Sequence, residues 1–227
     1  METIQSPAGV IFDFDGVVVD SLAVHLTAWQ MAFEKLFGTP LTDTQGLPGR
    51  STMAIAQILS ERVGQPELKV QLADLKREAL RQSQLSIKLL PGVLETFAWL
   101  KQEKIPHGIA SNAPRAFIEN TLERCGLNVD VKFGSDDVSR PKPEPDVFLK
   151  CAKTLGISVL HHDRVMVFED SPHGLKAAVR AGMLPVGVLT QNTHDDMINA
   201  GAKVCCQHVG EALTQGWFTH LPRPLTP

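Results

Sequence analysis

The sequence predicts an α/β protein: a parallel sheet covered by helices on both faces, with an all-helical segment inserted after the first strand. Three observations carry this. Short apolar runs that stop at carboxylates, Ser, Asn or Thr recur along the chain, with helical patterns between them, the alternation that builds a parallel sheet with helices on either side. One stretch, roughly residues 20 to 88, breaks the rhythm and shows helical spacing only. The composition is globular, with 43% hydrophobic and 21% charged residues in a chain of 227, long enough to bury a large core.

Taken in order, Val10-Ile11-Phe12 runs into Asp13-Phe14-Asp15-Gly16 and reads as a buried parallel strand ending in a loop. Leu22, Leu26, Trp29, Phe33 and Leu36 recur at helical spacing, with Asp20 or Ser21 as the N-cap. Helical stretches follow at 52–63 and 67–82. After Leu89-Leu90-Pro91-Gly92 the alternation resumes: helix 93–103, strand 105–110 before Ser111-Asn112, helices 116–124 and 145–155, strand 165–168 before Glu169-Asp170, helix 175–181, and strand 185–189 before Thr190. Gly156 and Gly182 suit helix ends. The tail from Trp217, with Pro222, Pro224 and Pro227, reads as a frayed end. The expected domains are a catalytic core of 1–19 with 89–227 and a helical unit of 20–88.

Lys and Arg number 22 against 25 Asp and Glu, a net charge of −3. Nucleic-acid binding needs clustered cations to displace counterions, so that class is disfavoured. No apolar run approaches membrane-spanning length. The N-terminus lacks the basic start and apolar stretch of a signal peptide, so a cytoplasmic protein is expected. Cys125, Cys151, Cys205 and Cys206 lack zinc spacing and read as free thiols. A monomer is the default.

The chemistry is expected where strands end, because open α/β sheets bind ligands at their carboxyl ends. Asp13 and Asp15, two apart on a strand, would share a side. If Glu169 and Asp170 lie on a neighbouring strand, four carboxylates crowd together, and two like charges about 4 Å apart repel by about 4 kcal/mol at an effective dielectric of 20. Protons, a metal or a Lys must relieve this. All-oxygen ligands favour a hard ion, and Mg²⁺ is the natural choice with phosphate chemistry. One carboxylate could then attack phosphorus, with Lys142 neutralising charge opposite the metal, and Asp15 could serve as general acid and base.

Four segments, DFDGVVVDS at Asp13–Ser21, IASNAP ending at Pro114, RPKPEPDVF at Arg140–Phe148 and FEDSPHG at Phe168–Gly174, resemble in order and spacing the four motifs of the haloacid dehalogenase-like hydrolase superfamily. The helical insert resembles the cap of its β-phosphoglucomutase-like group. The resemblance implies a Rossmann-like parallel sheet core with an inserted helical cap, acting on a small phosphorylated metabolite, such as a sugar phosphate, with Mg²⁺. It implies Asp13 as nucleophile, Asp15 as acid/base, Ser111 and Lys142 as holders of the phosphoryl group, and Asn112 as a possible amide contact. Its metal ligands would be Asp13, Asp170, the Asp15 carbonyl, and Glu169 directly or through water. The Asp at position 15 points to phosphate rather than halide substrates.

Plainer readings stand beside these. Lys142 could be a solvated loop lysine, Ser111 a helix cap, and Asp170-Ser171 only an N-cap. Asp136 and Asp137 read as loop solvation, and His173 as a helix-surface residue. His25 reads equally as a substrate or hinge contact and as a helix-face histidine. Arg50 reads as a bidentate anion contact or a surface arginine. Lys76 reads as solvated, although the group places a substrate-contacting lysine nearby. Three functions are open: a phosphatase, a sugar phosphomutase, and a non-catalytic phosphate-binding module. The mutases of the group carry hydroxyl, Lys and Asn residues after the second-motif Ser. This chain has Asn112-Ala113-Pro114-Arg115, which favours the phosphatase, with Arg115 as a partial substitute.

Overall fold

The computed structural model describes residues 6–47, 50–83 and 87–222. Its strands are β1 (Gly9–Phe12), β2 (Val19–Asp20), β3 (Lys88–Leu89), β4 (His107–Ala110), β5 (Val131–Phe133), β6 (Val165–Glu169), β7 (Leu184–Val188) and β8 (Val204–Cys206). Its α-helices are α1 (Leu22–Phe37), α2 (Thr52–Arg62), α3 (Lys69–Gln82), α4 (Val93–Gln102), α5 (Arg115–Arg124), α6 (Asp146–Thr154), α7 (Pro172–Arg180), α8 (His194–Asn199) and α9 (Val209–Thr214). Six strands form a sheet of order β5-β4-β1-β6-β7-β8, every pairing parallel. β1 lies centrally, with Phe12 opposite Ile109 on one side and Phe168 on the other.

Both faces of β1 are covered, which is why it is apolar throughout. Val10 and Phe12 pack on one face with Phe97 of α4, Ile118 of α5 and Val209 of α9. Ile11 faces the other way, toward Phe148 of α6 and Ala178 of α7. The Phe12 ring lies 4.8 Å from that of Phe97 and 5.2 Å from that of Phe168. A third cluster, with Trp29 and Phe33 of α1, Leu59 of α2 and Leu72 of α3, is separate from both. The chain leaves for these helices at β2 and returns at β3, which pair antiparallel through Val19 with Leu89 and Asp20 with Lys88.

Four expectations need correction. β5, β8, α8 and α9 have no counterpart in the sequence reading, because three-residue strands and six-residue helices are too short to show a period. The tail is not frayed at Trp217: Phe218 is 1% exposed, its ring 5.6 Å from Phe168 and 6.1 Å from Trp99. Burial of that aromatic outweighs the prolines around it; the last five residues, with Pro224 and Pro227, lie outside the described residues. Ser21 occupies the N-cap position of α1 but gives its backbone no side-chain bond; its hydroxyl donates to Asp15 instead. Finally, β1 ends at Phe12, so strand alternation does not aim Asp13 and Asp15.

Candidate active site

What brings the two aspartates together is a turn. Asp13 N–H donates to Phe168 O at 2.9 Å, and Val18 and Val19 N–H both return to Phe14 O. Gly16, at φ +79°, lets the chain fold back where a Cβ would overlap the Asp170 carboxylate. Both side chains line a cavity of about 100 Å³ at the carboxyl ends of β1, β4 and β6, closed on the far side by α1 and α3.

Lys142 is drawn into the middle of the carboxylates. Its Nζ donates to Asp13 Oδ1 at 2.6 Å, Glu169 Oε1 at 2.6 Å and Ala110 O at 2.8 Å, and it is 4% exposed. Three acceptors satisfy the three ammonium hydrogens. Burial pushes its pKa down, but Asp13 and Glu169 more than reverse this and hold it above the ordinary value. The solvated-loop reading is therefore excluded by geometry. Beneath it, Nζ lies 4.5 Å from the Phe148 ring centre.

One ammonium does not balance this cluster. Carboxylate oxygens of Asp13, Glu169 and Asp170 lie within 4.8 Å of one another, all buried. Burial and then Glu169 raise Asp13 to about 7, despite Lys142. Burial, Glu169 and Asp13 raise Asp170 well above its ordinary value. The residues fit a hard divalent cation: the donors are all oxygen, they carry excess negative charge, and they sit in one buried pocket. Glu169 is the most engaged of them, with Oε1 on Lys142 and Oε2 accepting from Ser171 N–H at 3.1 Å and Ser171 Oγ at 2.9 Å. Gly174 gives this carboxylate room, since any Cβ there would overlap it. Ser171, not Asp170, caps α7, accepting from Gly174 N–H at 3.1 Å.

Asp15 points away from that cluster toward α1. Its Oδ1 accepts from the Ser21 hydroxyl and lies 3.1 Å from His25 Nε2. His25 Nδ1 in turn lies 3.1 Å from Lys76 Nζ. With Lys76 donating to Nδ1, the ring is the tautomer that donates from Nε2 to Asp15. Burial pushes Asp15 up, but His25, Ser21 and Lys76 outweigh it and hold its carboxyl below the usual range. Without a metal the two aspartates are thus pushed in opposite directions, Asp13 up and Asp15 down. Lys76 is not solvated: it is 3% exposed, Nζ lies 5.6 Å from the Trp29 ring centre, and burial lowers its pKa to about 8.

The remaining candidates divide. Ser111 is buried beside the cavity, its Oγ accepting from Ala113 N–H at 3.1 Å. Asn112 lines the cavity but spends its amide on Lys142, accepting from Lys142 N–H at 2.9 Å and donating to Lys142 O at 3.3 Å; it clips two motifs together. Arg50 lines the cavity from the α1–α2 connection, with Nε donating to Gly46 O at 2.8 Å, and its charge reaches His173. Asp136 and Asp137 bond Arg115 N–H and Gly134 N–H instead. Arg115 turns to Glu119 at 3.0 Å and Asp137 at 3.3 Å. The sequence reading passed over Ser171 as a partner of Glu169, and Gln191, which reaches Asp170 from the loop after β7.

Comparison with known proteins agrees with this geometry. The family described as haloacid dehalogenase-like hydrolase matches residues 10–188. A fructose-1-phosphate phosphatase of Escherichia coli is 35% identical over 188 residues, covering 80% of this chain and 96% of its own. A beta-phosphoglucomutase of Bacillus subtilis is 30% identical over 195 residues, covering 79% and 82%. The crystal structure of a hydrolase from Pseudomonas syringae superposes with a TM-score of 0.81 at 27% identity, covering 92% of this chain and 97% of that one.

Proposed function

The chain belongs to the haloacid dehalogenase-like hydrolases, and from that membership we propose that it is a Mg²⁺-dependent phosphatase of a small phosphorylated metabolite, most simply a sugar phosphate, working through an aspartyl-phosphate. The observation that carries the reading is the opposed setting of two aspartates on one turn: Asp13 against Lys142 in the acidic cluster, Asp15 against His25 outside it. The residues 20–88 act as a cap whose three helices close the cavity, and the protein works in the cytoplasm.

Mg²⁺ held by Asp13, Asp170 and the Asp15 carbonyl, with Glu169 directly or through water, would act as the Lewis acid on the phosphoryl oxygens. Lys142 holds Asp13 through Oδ1 and places a positive charge beside the incoming phosphate. An Asp13 oxygen forms the bond to phosphorus while the ester oxygen leaves, taking a proton from Asp15. The negative phosphate alongside favours the protonated form of Asp15 needed for that step. Asp15, now ionised and again oriented by His25, takes a proton from water as that water attacks phosphorus. The Asp13–phosphorus bond breaks and inorganic phosphate departs. Ser111 would hold a phosphoryl oxygen, and Arg50 a second anionic group on the substrate.

A mutase reading is favoured by one observation, the His25–Lys76 pair set against the acid/base, with His25 half-buried and Lys76 buried. The second motif supports the phosphatase. Ala113 and Pro114 line the cavity without side-chain donors, and Arg115 is committed to Glu119 and Asp137. The test supplies hexose and pentose phosphates with Mg²⁺ or EDTA and measures free phosphate. Release that needs Mg²⁺ is expected. Conversion of β-glucose 1-phosphate to glucose 6-phosphate without free phosphate would establish the mutase instead.

A further inference from the structure

The loop that follows β7 lies across the turn bearing Asp13 and Asp15 and holds it at three points. Thr190 Oγ1 donates to Gly16 O at 2.8 Å, Gln191 Nε2 to Asp170 Oδ2 at 2.7 Å, and Asn192 Nδ2 to Asp170 O at 2.8 Å. Asp170 is thereby gripped at both backbone and side chain from an element outside the four motifs. The grip on Oδ2 leaves Oδ1 without a bonding partner among the described residues.

The Gln191 amide is oriented at a disadvantage to itself. Its Nε2 faces Asp170 Oδ2, and its Oε1 is then buried with no hydrogen-bond partner among the described residues. A buried unsatisfied acceptor is unfavourable, so the local structure tolerates a destabilising group in order to hold Asp170. The absence of a side chain at Gly16 is part of the same arrangement, because a Cβ there would overlap Asp170 Oδ2 and lie 2.9 Å from Gln191 Nε2.

We propose that Gln191 is a positioning residue of the metal site, fixing the Asp170 carboxylate through Oδ2 so that Oδ1 is presented to the cation. The inference rests on the metal reading given above. Outer partners that orient a ligating carboxylate set metal affinity, and their loss typically weakens it 10–100-fold. Gln191→Leu removes the grip and the buried Oε1 but leaves Asp170 Oδ2 without its donor, one unpaired acceptor exchanged for another, so affinity should fall while metal-free stability changes little.

The experiment titrates MgCl₂ into wild type, Gln191→Leu and Gln191→Asn by isothermal calorimetry, and measures urea unfolding of each without metal. The expected result is Mg²⁺ binding weakened about 10–100-fold in Gln191→Leu, with metal-free stability close to that of wild type. Gln191→Asn, one methylene short, should bind no better than Gln191→Leu. Unchanged Mg²⁺ affinity in Gln191→Leu would overturn the proposal while leaving the metal site standing. Weakened affinity accompanied by an equal loss of metal-free stability would reduce Gln191 to a structural role and also overturn it. Absence of Mg²⁺ binding by wild type would remove the metal reading and this inference together.

Discussion

His25 Nε2 stands 3.1 Å from Asp15 Oδ1 while Lys76 Nζ stands 3.1 Å from His25 Nδ1. A residue from α1 and one from α3 thus set the charge state of an aspartate carried by the core. That connection makes the Asp15 carboxyl dependent on where the helices lie, while its charge still reaches Asp13 and Asp170 and helps to raise both.

Asp15→Asn should lower kcat by about 10²–10⁴-fold, the usual contribution of a general acid/base. His25→Asn should cost less but move the profile. His25 holds Asp15 low, so its loss raises the pKa of Asp15, and the acid limb of the kcat–pH curve moves to higher pH. A pH–rate series on a sugar phosphate measures this; an unmoved limb would detach His25 from Asp15.

Lys76 gives a stability prediction with a definite sign. Its folded pKa is about 8 against an ordinary 10.5, so the unfolded chain binds the proton more firmly than the folded one. The penalty is complete below pH 8 and is relieved as pH rises from 8 toward 10.5. The difference, 10.5 − 8 = 2.5, corresponds to about 3 kcal/mol. Lys76→Met should therefore be more stable than wild type at pH 7 in urea, with the gap narrowing above pH 8. A destabilised variant at pH 7 would show that the ammonium is better solvated than its burial implies.

Without metal, Asp13 sits at about 7 and Asp170 well above its ordinary value. Folded carboxyls raised in this way contribute stability that is present below their unfolded pKa and lost as pH rises through the folded one. Mg²⁺ must displace those protons, so its affinity should rise with pH through about 7 and its binding should release protons. Calorimetry in buffers of different ionisation enthalpy measures the release. The Mg²⁺-induced rise in Tm should accordingly be larger at pH 8 than at pH 6.

Phe218→Ala should destabilise the protein by about 3–5 kcal/mol, the usual range for a buried Phe, because the ring closes the Phe12–Phe168 side of the core. Urea unfolding decides this. A loss under 1 kcal/mol would return the segment to the frayed end that its prolines suggest.

That segment marks where the sequence was legible and where it was not. Val10–Phe12 and Val165–Phe168 announce themselves because a strand buried on both faces is a continuous apolar run, and the carboxylates stand at the ends of such runs, whereas Lys142 lies in a Pro-flanked stretch between β5 and α6. The burial of Lys76 was within reach: it lies four residues from Leu72, and both are buried on α3, but charge along the helix hid the shared face. The turn that aims Asp13 and Asp15 could not be read from a two-residue spacing, since strand alternation and a reversed loop both permit it. Gln191 was invisible because its role depends on β7 lying beside β6, a long-range fact that no local pattern around 191 carries.

The central claim is that Asp13 becomes esterified to phosphorus. Enzyme quenched in acid during turnover of a sugar phosphate, reduced with borohydride, digested and weighed should show the alcohol that marks an acyl phosphate on the peptide carrying Asp13, at position 13. Its absence under conditions of rapid phosphate release, or its appearance on Asp15 or Asp170 instead, would contradict the account.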